Sequence, residues 1–514
     1  MSRHLTLLLV SALCFQLPAP GPAEEIGASV ERTVTGDLTL DRAVQLALRQ
    51  NPQILLALQE IKRTHGQVVE VRAQALPQLS LNVNYDQQDP ELIELGGVGG
   101  GGGGGLNLGG IQGIPPAVAA ALGNLGNQRN TGAQPGGFDQ SWNVTLQVRQ
   151  LVYAGGQVKA ALQIAKLTED NSYWQLRDTV DTVIARTRTQ FYSVLLAKAL
   201  IFVAEESVQL QEDQLKDQQN RFEAGTVPRF NVLRAEVELA NVRPNLIRAR
   251  NNLLITQLDL SRTLGIEAAP DGHITFQIVG ELNIAQRPLD LTNALAMARE
   301  RRPFLKVQRQ RILIQAEQIK VALAGYKPRL NVNGGVLVRD SQLTDDLSQA
   351  ISGWFIGVTG SWNIFDGLET AGRTQQTRAQ LESARVTYED SVRQVEIEVQ
   401  QSYANLQQAR ETIQSQQKNV EQALEALRLA RERLAAGAGT QLDVLDARVA
   451  LTRARSTEVE ARADYARALA EFDRATATNT KYDDGFDDPL AHRKPGKKAT
   501  ARATPAPALA KKKR

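Results

Sequence analysis

Cysteine is almost missing from this chain: one residue, Cys14, in 514. It lies inside an apolar run, Leu5 to Leu17, that follows Arg3 and His4 and leads into small residues at Gly21 and Ala23. That run is too short to span a bilayer, and its flanks predict a signal peptide over 1–23, followed by an N-terminal extension over 24–37. The bland alternative is a buried N-terminal helix. Leu13 stands where a lipoprotein signal has a small residue, so the mature chain is expected to carry no thiol, disulfide or lipid anchor. No later stretch approaches eighteen apolar residues, and any membrane crossing therefore has to be made by strands. Histidine is equally sparse. His65, His273 and His492 are widely separated, with no His-Glu-x-x-His and no nucleophile motif, which argues against an enzyme and predicts no metal and no cofactor. Aromatics are 5%, and the formal net charge of +3 gives no electrostatic case for nucleic acid. Basic residues crowd only the end, from Arg493 to Arg514, where no acid occurs.

What is present is repetition. Ala43 to Pro52 matches Ala294 to Pro303, and Pro77 to Asn82 matches Pro328 to Asn333, both at an offset of 251. Further along the offset becomes 212: Trp142 aligns with Trp354, Tyr153 with Phe365, and Asn231-Val232-Leu233 with Asp443-Val444-Leu445. The fall from 251 to 212 assigns 39 extra residues to the first half, in a Gly-rich loop insertion at about 86–140 that contains the run Gly99 to Gly105. No Lys-Ser or Lys-Thr follows those glycines, so they form no phosphate-binding loop. The predicted organisation is a first repeat over 38–265, a linker over 266–288, a second repeat over 289–478, and a disordered acidic-then-basic tail over 479–514.

Each half reads as short helices, strand, loop, strand, very long helix, tip and long return helix. Trp142 to Arg149 alternates apolar with polar residues. Leu330, Val332, Val336 and Val338 do the same, as do Trp354, Ile356, Val358, Trp362 and Ile364. One apolar and one polar face is the strand code of an outer-membrane barrel, although a half-buried soluble hairpin produces the same alternation. Trp142, Trp354 and Trp362 suit the aromatic girdle at the headgroups. The helices are the stronger signal. No proline interrupts Gln157 to Phe222, and the counterpart runs from about Leu368 to Leu434. Val180, Thr187, Val194, Ile201, Val208, Leu215 and Phe222 recur every seven positions, and Val392 through Leu434 repeat the pattern at the same offset of 212. A strict seven-residue repeat imposes a left-handed supercoil. At the tips Gly225 and Gly437 are expected to be left-handed C-terminal caps, and Asn231 and Asp443 to cap the return helices. Pro228 and Pro244 have no counterparts in the second half, and Pro244 is expected to kink its helix.

These residues resemble the TolC-like outer-membrane efflux and secretion proteins from about Leu38 to Thr478. The likeness is carried by the duplicated order, by Leu151-Val152-Tyr153-Ala154-Gly155-Gly156 and Ile364-Phe365-Asp366-Gly367-Leu368 after the strands, and by the tip from Gly437 to Ala447. The resemblance implies an α+β membrane protein. Its long antiparallel coiled-coil helices would form an α-barrel, and four strands per chain would join a trimeric 12-stranded β-barrel. Four strands alone cannot close in lipid, so an oligomer is forced; the number three comes from the resemblance. The resemblance also implies a passive exit channel of a tripartite efflux pump or type I secretion system, in the outer membrane with a periplasmic extension. Its partners would be outer-membrane lipid, a periplasmic adaptor and an inner-membrane pump. Asp443 and Asp446 match the family's acidic periplasmic gate, although a helix cap and a surface acid would read the same. Arg221, Gly225, Thr226, Arg433, Gly437 and Thr440 fall where an adaptor docks. The rival reading is a periplasmic coiled-coil adaptor or scaffold, which accounts for the heptads and export but leaves the alternating strands unexplained.

Overall fold

A computed structural model describes residues 36–87, 140–267, 276–282, 287–288, 290–340 and 350–478. The expected signal peptide, the Gly-rich insertion, much of the linker and the C-terminal tail lie outside the described residues. In chain order the elements are β1 (Gly36–Leu38), α1 (Leu40–Gln50), α2 (Pro52–Ala73), β2 (Gln78–Gln87), β3 (Gln140–Ala154), α3 (Gln157–Glu223) and α4 (Arg229–Leu264). Then come β4 (Phe276–Ile278), α5 (Leu291–Arg301), α6 (Pro303–Leu323), β5 (Arg329–Asp340), β6 (Ile351–Ser361), α7 (Glu369–Ala435) and α8 (Gln441–Ala475). The contacts divide the chain into two compact units. One comprises Glu60–Ser172 and Lys306–Asp390; the other takes in the described parts of Met1–Gln59, Tyr173–Leu305 and Ser391–Arg514.

The first unit carries an antiparallel sheet in the order β2-β3-β5-β6. Register converts the alternation of each strand into continuous rows. Leu81 lies opposite Leu146, Leu146 opposite Val336, and Val336 opposite Trp354; the next row runs Leu79, Val148, Gly334, Ile356. The intervening rows are mostly polar, such as Asn84, Asn143 and Arg339, with Asn84 Nδ2 donating to Asn143 Oδ1 at 3.1 Å. Successive side chains point to opposite faces, so one face is apolar and the other largely polar. A bulge at Val152 breaks the pairing of β3 with β5. It moves Tyr153 opposite Leu330 and so onto the apolar face, a shift that strict alternation does not give.

The alternation that the sequence carries on through Trp362 and Ile364 outlasts the strand: β6 ends at Ser361, opposite Arg329. The next partner would be Pro328, which has no N–H to donate, so the ladder stops. Trp362 leaves the sheet and its indole Nε1 donates to the carbonyl of Tyr326 at 3.1 Å.

The second unit is mostly helical and takes the greater part of each long helix, α3 from Tyr173 and α7 from Ser391. Both long helices count 67 residues, about 100 Å at 1.5 Å per residue. Their heptad seams are buried where partners exist. Val399 and Leu406 are fully enclosed, with Val395 and Val399 packing against Ala294, Ala298, Leu305 and Ala475. Nearer the tip, Ala423 and Leu427 of α7 meet Val444, Leu451 and Ala454 of α8. Ala423 and Ala430, each three residues after a heptad position of α7, add small side chains to this seam. Along α3, Val180, Thr187 and Val194 are buried, Ile201, Val208 and Leu215 half-buried, and Phe222 exposed. α4 continues as one helix through Pro244. β1 and β4 form a short parallel pair.

The C-terminal end of α8 is fixed by charges that sequence spacing conceals. Arg188 Nη1 lies 2.7 Å from Asp473 Oδ2, with both side chains 8% exposed. Arg302 reaches Glu398 at 2.7 Å, and Arg474 pairs with the same carboxylate. Burial pushes the nearby Asp178 carboxyl above its ordinary range, against the pull of Arg302 and Arg474. Buried pairs of this kind contribute little net stability, but removing one partner strands a charge and costs about 3–5 kcal/mol.

Candidate functional site

Two surfaces carry the residues expected to function: the sheet face in one unit and the helical tips in the other. On the sheet, Trp354 is 80% exposed, and Leu79, Leu81, Val83, Ile356 and Val358 are exposed alongside it. Trp142 pairs in register with Tyr85 at one end of the apolar rows, whereas Tyr153 stands at the other. From Trp142 to Tyr153, allowing for the bulge, β3 advances ten ladder steps. At about 3.3 Å per step and a barrel-type tilt of about 40°, that gives an apolar band roughly 25 Å tall. The outer strands β2 and β6 have no further strand beside them among the described residues. Trp362 lies just past β6 and is exposed, near Ile364, Phe365 and Leu368, which are exposed as well.

At each tip the long helix ends in the same hydrogen-bonded turn. Thr226 N donates to Arg221 O at 2.9 Å and Gly225 N to Phe222 O at 2.9 Å; Ala438 N and Gly437 N repeat this with Arg433 O and Leu434 O. Gly225 and Gly437 have φ of 70° and 71°, the left-handed conformation that this closure needs and that other residues resist. The caps of the return helices differ from expectation. Pro228, not Asn231, is the N-cap residue of α4, and proline offers no side-chain acceptor; Asn231 falls in the first helical turn. At the second tip the cap is Thr440 rather than Asp443. Thr440 Oγ1 accepts from Asp443 N at 3.2 Å, and Asp443 Oδ2 accepts from Thr440 N at 2.8 Å, a reciprocal capping box. The bond from the Thr440 backbone N–H, a further hydrogen bond from the Thr440 side chain and the charge of Arg433 hold the Asp443 carboxyl below its usual range.

The remaining tip residues are exposed. Arg221 pairs with Asp217 at 3.0 Å, Thr226 Oγ1 donates to Arg221 O at 2.8 Å, and Arg433 Nη2 lies 3.5 Å from Ala438 O. Asp446 occupies the turn after Asp443 and is exposed as well. Sequence reasoning missed Arg448, whose Nη1 donates to Leu210 O of α3 at 2.9 Å, because that contact joins residues 238 apart. Among the described residues no cluster of His, Cys, Asp and Glu could hold a metal, and no helix is long and apolar enough to cross a membrane.

Comparison with known proteins gives a consistent picture. The alkaline protease secretion protein AprF of Pseudomonas aeruginosa is 24% identical over 304 residues, 58% of this chain and 61% of the relative, so the match spans about three fifths of that protein. Among solved structures, the CmeC outer membrane channel of Campylobacter jejuni superposes with a TM-score of 0.69 at 15% identity, over 86% of this chain and 88% of its own. The outer membrane protein VceC of Vibrio cholerae gives 0.66 at 17% identity, over 85% and 95%. Each of these names describes an outer-membrane or secretion protein, not an enzyme. The family model for the outer membrane efflux protein matches residues 113–266 and 294–478, about two thirds of the sequence, and this chain therefore belongs to that outer-membrane family.

Proposed function

We propose that the chain is one protomer of a passive exit duct through the outer membrane, serving an efflux pump or a type I secretion system. One observation carries this reading: a four-stranded sheet with a continuous, solvent-facing apolar surface and outer strands unpaired among the described residues, in a chain that also builds two 67-residue helices. An exposed apolar face of this size in water is unfavourable at about 25 cal/mol per Å2, and unpaired strand edges cannot remain in hydrocarbon. Lipid satisfies the face and sister subunits satisfy the edges. Three copies give twelve strands, and their long helices continue as a tunnel on the periplasmic side. The secretion role in AprF's name and the efflux family both fit such a conduit.

Asp443 and Asp446 then form an acidic ring at the tunnel's narrow end, and the Gly225 and Gly437 turns, with Arg221, Thr226, Arg433 and Thr440, form the surface on which a periplasmic adaptor docks beneath an inner-membrane pump. Three copies of two carboxylates concentrate negative potential and favour cations there. The test is the mature protein extracted in detergent. Unboiled samples are expected to migrate as a trimer and to form cation-selective channels in planar bilayers. Asp443→Ala with Asp446→Ala should then alter single-channel conductance, lower cation selectivity and weaken block by multivalent cations. A detergent-independent soluble monomer would overturn the duct and favour a coiled-coil scaffold, while an unaltered conductance in the double variant would overturn the gate alone.

A further inference from the structure

The polar face of the sheet carries its charge unevenly. The only carboxylates on the four described strands are Asp86 and Asp340, and both lie at one end of the ladder, where Arg339 also stands. Arg149 and Arg329 occupy the polar face toward the other end. Arg149 shares a row with Gln78, Asn333 and Gly357, and Arg329 lies opposite Ala154 and Ser361. Because Arg149 pairs with Asn333, it stands four residues along β5 from Arg329, roughly 13 Å at about 3.3 Å per residue. Both arginines are exposed, and neither has an ion-pair partner among the described residues. Arg329 Nη2 donates to Gln157 Oε1 at 3.2 Å. The acids that follow β6 are engaged elsewhere: Asp366 accepts from the backbone N–H groups of Leu368 at 3.1 Å and Thr370 at 2.9 Å, and Glu369 pairs with Arg373 at 2.5 Å. Past Arg329 the positive sign continues. Lys327, two residues earlier in extended backbone, borders an open cleft of about 470 Å3 together with Lys159 and Lys320. Glu317 is the one carboxylate in that lining, and Lys320 pairs with it at 2.5 Å. Gly155 shares the wall with φ of 63°; a side chain there would meet Lys327 Cβ at 2.8 Å, so the start of α3 lies hard against that lysine.

In the duct the apolar face meets lipid and the polar face lines the lumen, and the inference rests on that reading. Three copies then set Arg149 and Arg329 as two rings of three guanidinium groups, with the lysine clefts beside the Arg329 ring. Arginine forks bind phosphate, sulfate and carboxylate groups through paired N–H donors, and ammonium groups add point charge. Water and salt screen each exposed charge, so a solute with one anionic group gains little, whereas a solute with several gains at each station. We propose that the lumen wall from Arg149 through Arg329 to the lysine cleft is a binding path for polyanions, solutes that carry several phosphate, sulfate or carboxylate groups. Such a solute moves along a wall that holds no carboxylate to repel it. The amides of Gln78 and Asn333 in the Arg149 row supply further donors. The acidic ring proposed at Asp443 and Asp446 governs overall ion selectivity at the narrow end, so the basic wall acts by binding rather than by setting the reversal potential.

Inorganic tripolyphosphate is the probe, in planar bilayers free of divalent cations. Added on the barrel side of the mature trimer, it is expected to block single-channel current; added on the tip side, where the acidic ring repels it, it should block far less. Arg149→Gln with Arg329→Gln should raise the concentration for half block by about tenfold. Arg149→Gln alone, which breaks no ion pair among the described residues, should raise it by about threefold. Arg149→Lys with Arg329→Lys keeps the charge and loses the forks, and most of the block should remain. The unboiled trimer band reports the assembly of each variant. Channels indifferent to tripolyphosphate, equal block in the parent and the double glutamine variant, or block from the tip side alone would overturn this inference and leave the duct standing. A protein that forms no channels would overturn the duct reading, and this one with it.

Discussion

The two tips are the same turn built with different ends. Both long helices close on a left-handed glycine with the same pair of backbone bonds, and both tips lead into a return helix of similar length. They part three residues after the glycine. Pro228 enters α4 with its φ already set but nothing to offer the free N–H groups, whereas Thr440 and Asp443 satisfy two of them reciprocally at α8. The first tip is stiffened through the unfolded chain, which proline restricts; the second is held by bonds in the folded state. A partner that pulls on both therefore meets an extra pair of hydrogen bonds at the second tip and a proline-stiffened turn at the first.

This contrast can be broken in graded ways. The largest effect is expected from Gly437→Ala and Gly225→Ala. Each forces a side chain into the left-handed region at about 1–2 kcal/mol, and because no atom lies near either added carbon the two costs should match. Amide exchange at the two turns checks this, and a marked inequality would mean that the turns are not equivalent. Next, Thr440→Ala should destabilise the start of α8 by about 1 kcal/mol, while Pro228→Thr with Asn231→Asp should transplant the box and stabilise α4 by a similar amount. Local exchange at 229–231 and 441–443 reports both.

Acid separates the tips further. Because the Asp443 carboxyl is held below its ordinary range, its contribution is complete above the ordinary aspartate pKa of about 3.9 and is lost as pH falls through the lowered folded value. Protection of the first turn of α8 should drop in that window more than that of α4, and Asp443→Asn should remove the difference. The smallest effect is expected from Arg221→Ala, which deletes an exposed pair with Asp217 worth about 0.3–0.5 kcal/mol and has no matching pair at Arg433 among the described residues.

Periodicity made most of this fold legible. Seven-residue spacing located both rods, and two-residue alternation located the strands, because each period reports which face is covered. The proline-free stretch from Gln157 to Phe222 anticipated α3 to within a residue. What escaped was aperiodic. The bulge at Val152 and the stop at Ser361 depend on what lies across the ladder, and nothing in their own strands announces either. The cap assignment failed at Asn231 because proline one turn earlier already fixed the helix start. Arg188 with Asp473 and Arg448 with Leu210 bring together residues 285 and 238 apart, so no local window contains both members. At the tips the glycines were legible from chemistry alone, since few residues tolerate their φ, but the seat of Arg448 became visible only once α3 and α8 were in place.

The seam of α3 passes from enclosed at Val180 to open at Phe222. Gln211 and Gln218, three residues after Val208 and Leu215, nevertheless stay buried, and Arg448 holds the Leu210 carbonyl, so support thins along the rod and gives out only in its last turn. A push delivered at Gly225 therefore meets its weakest backing around Phe222, one turn from the glycine, and stiffer resistance above it.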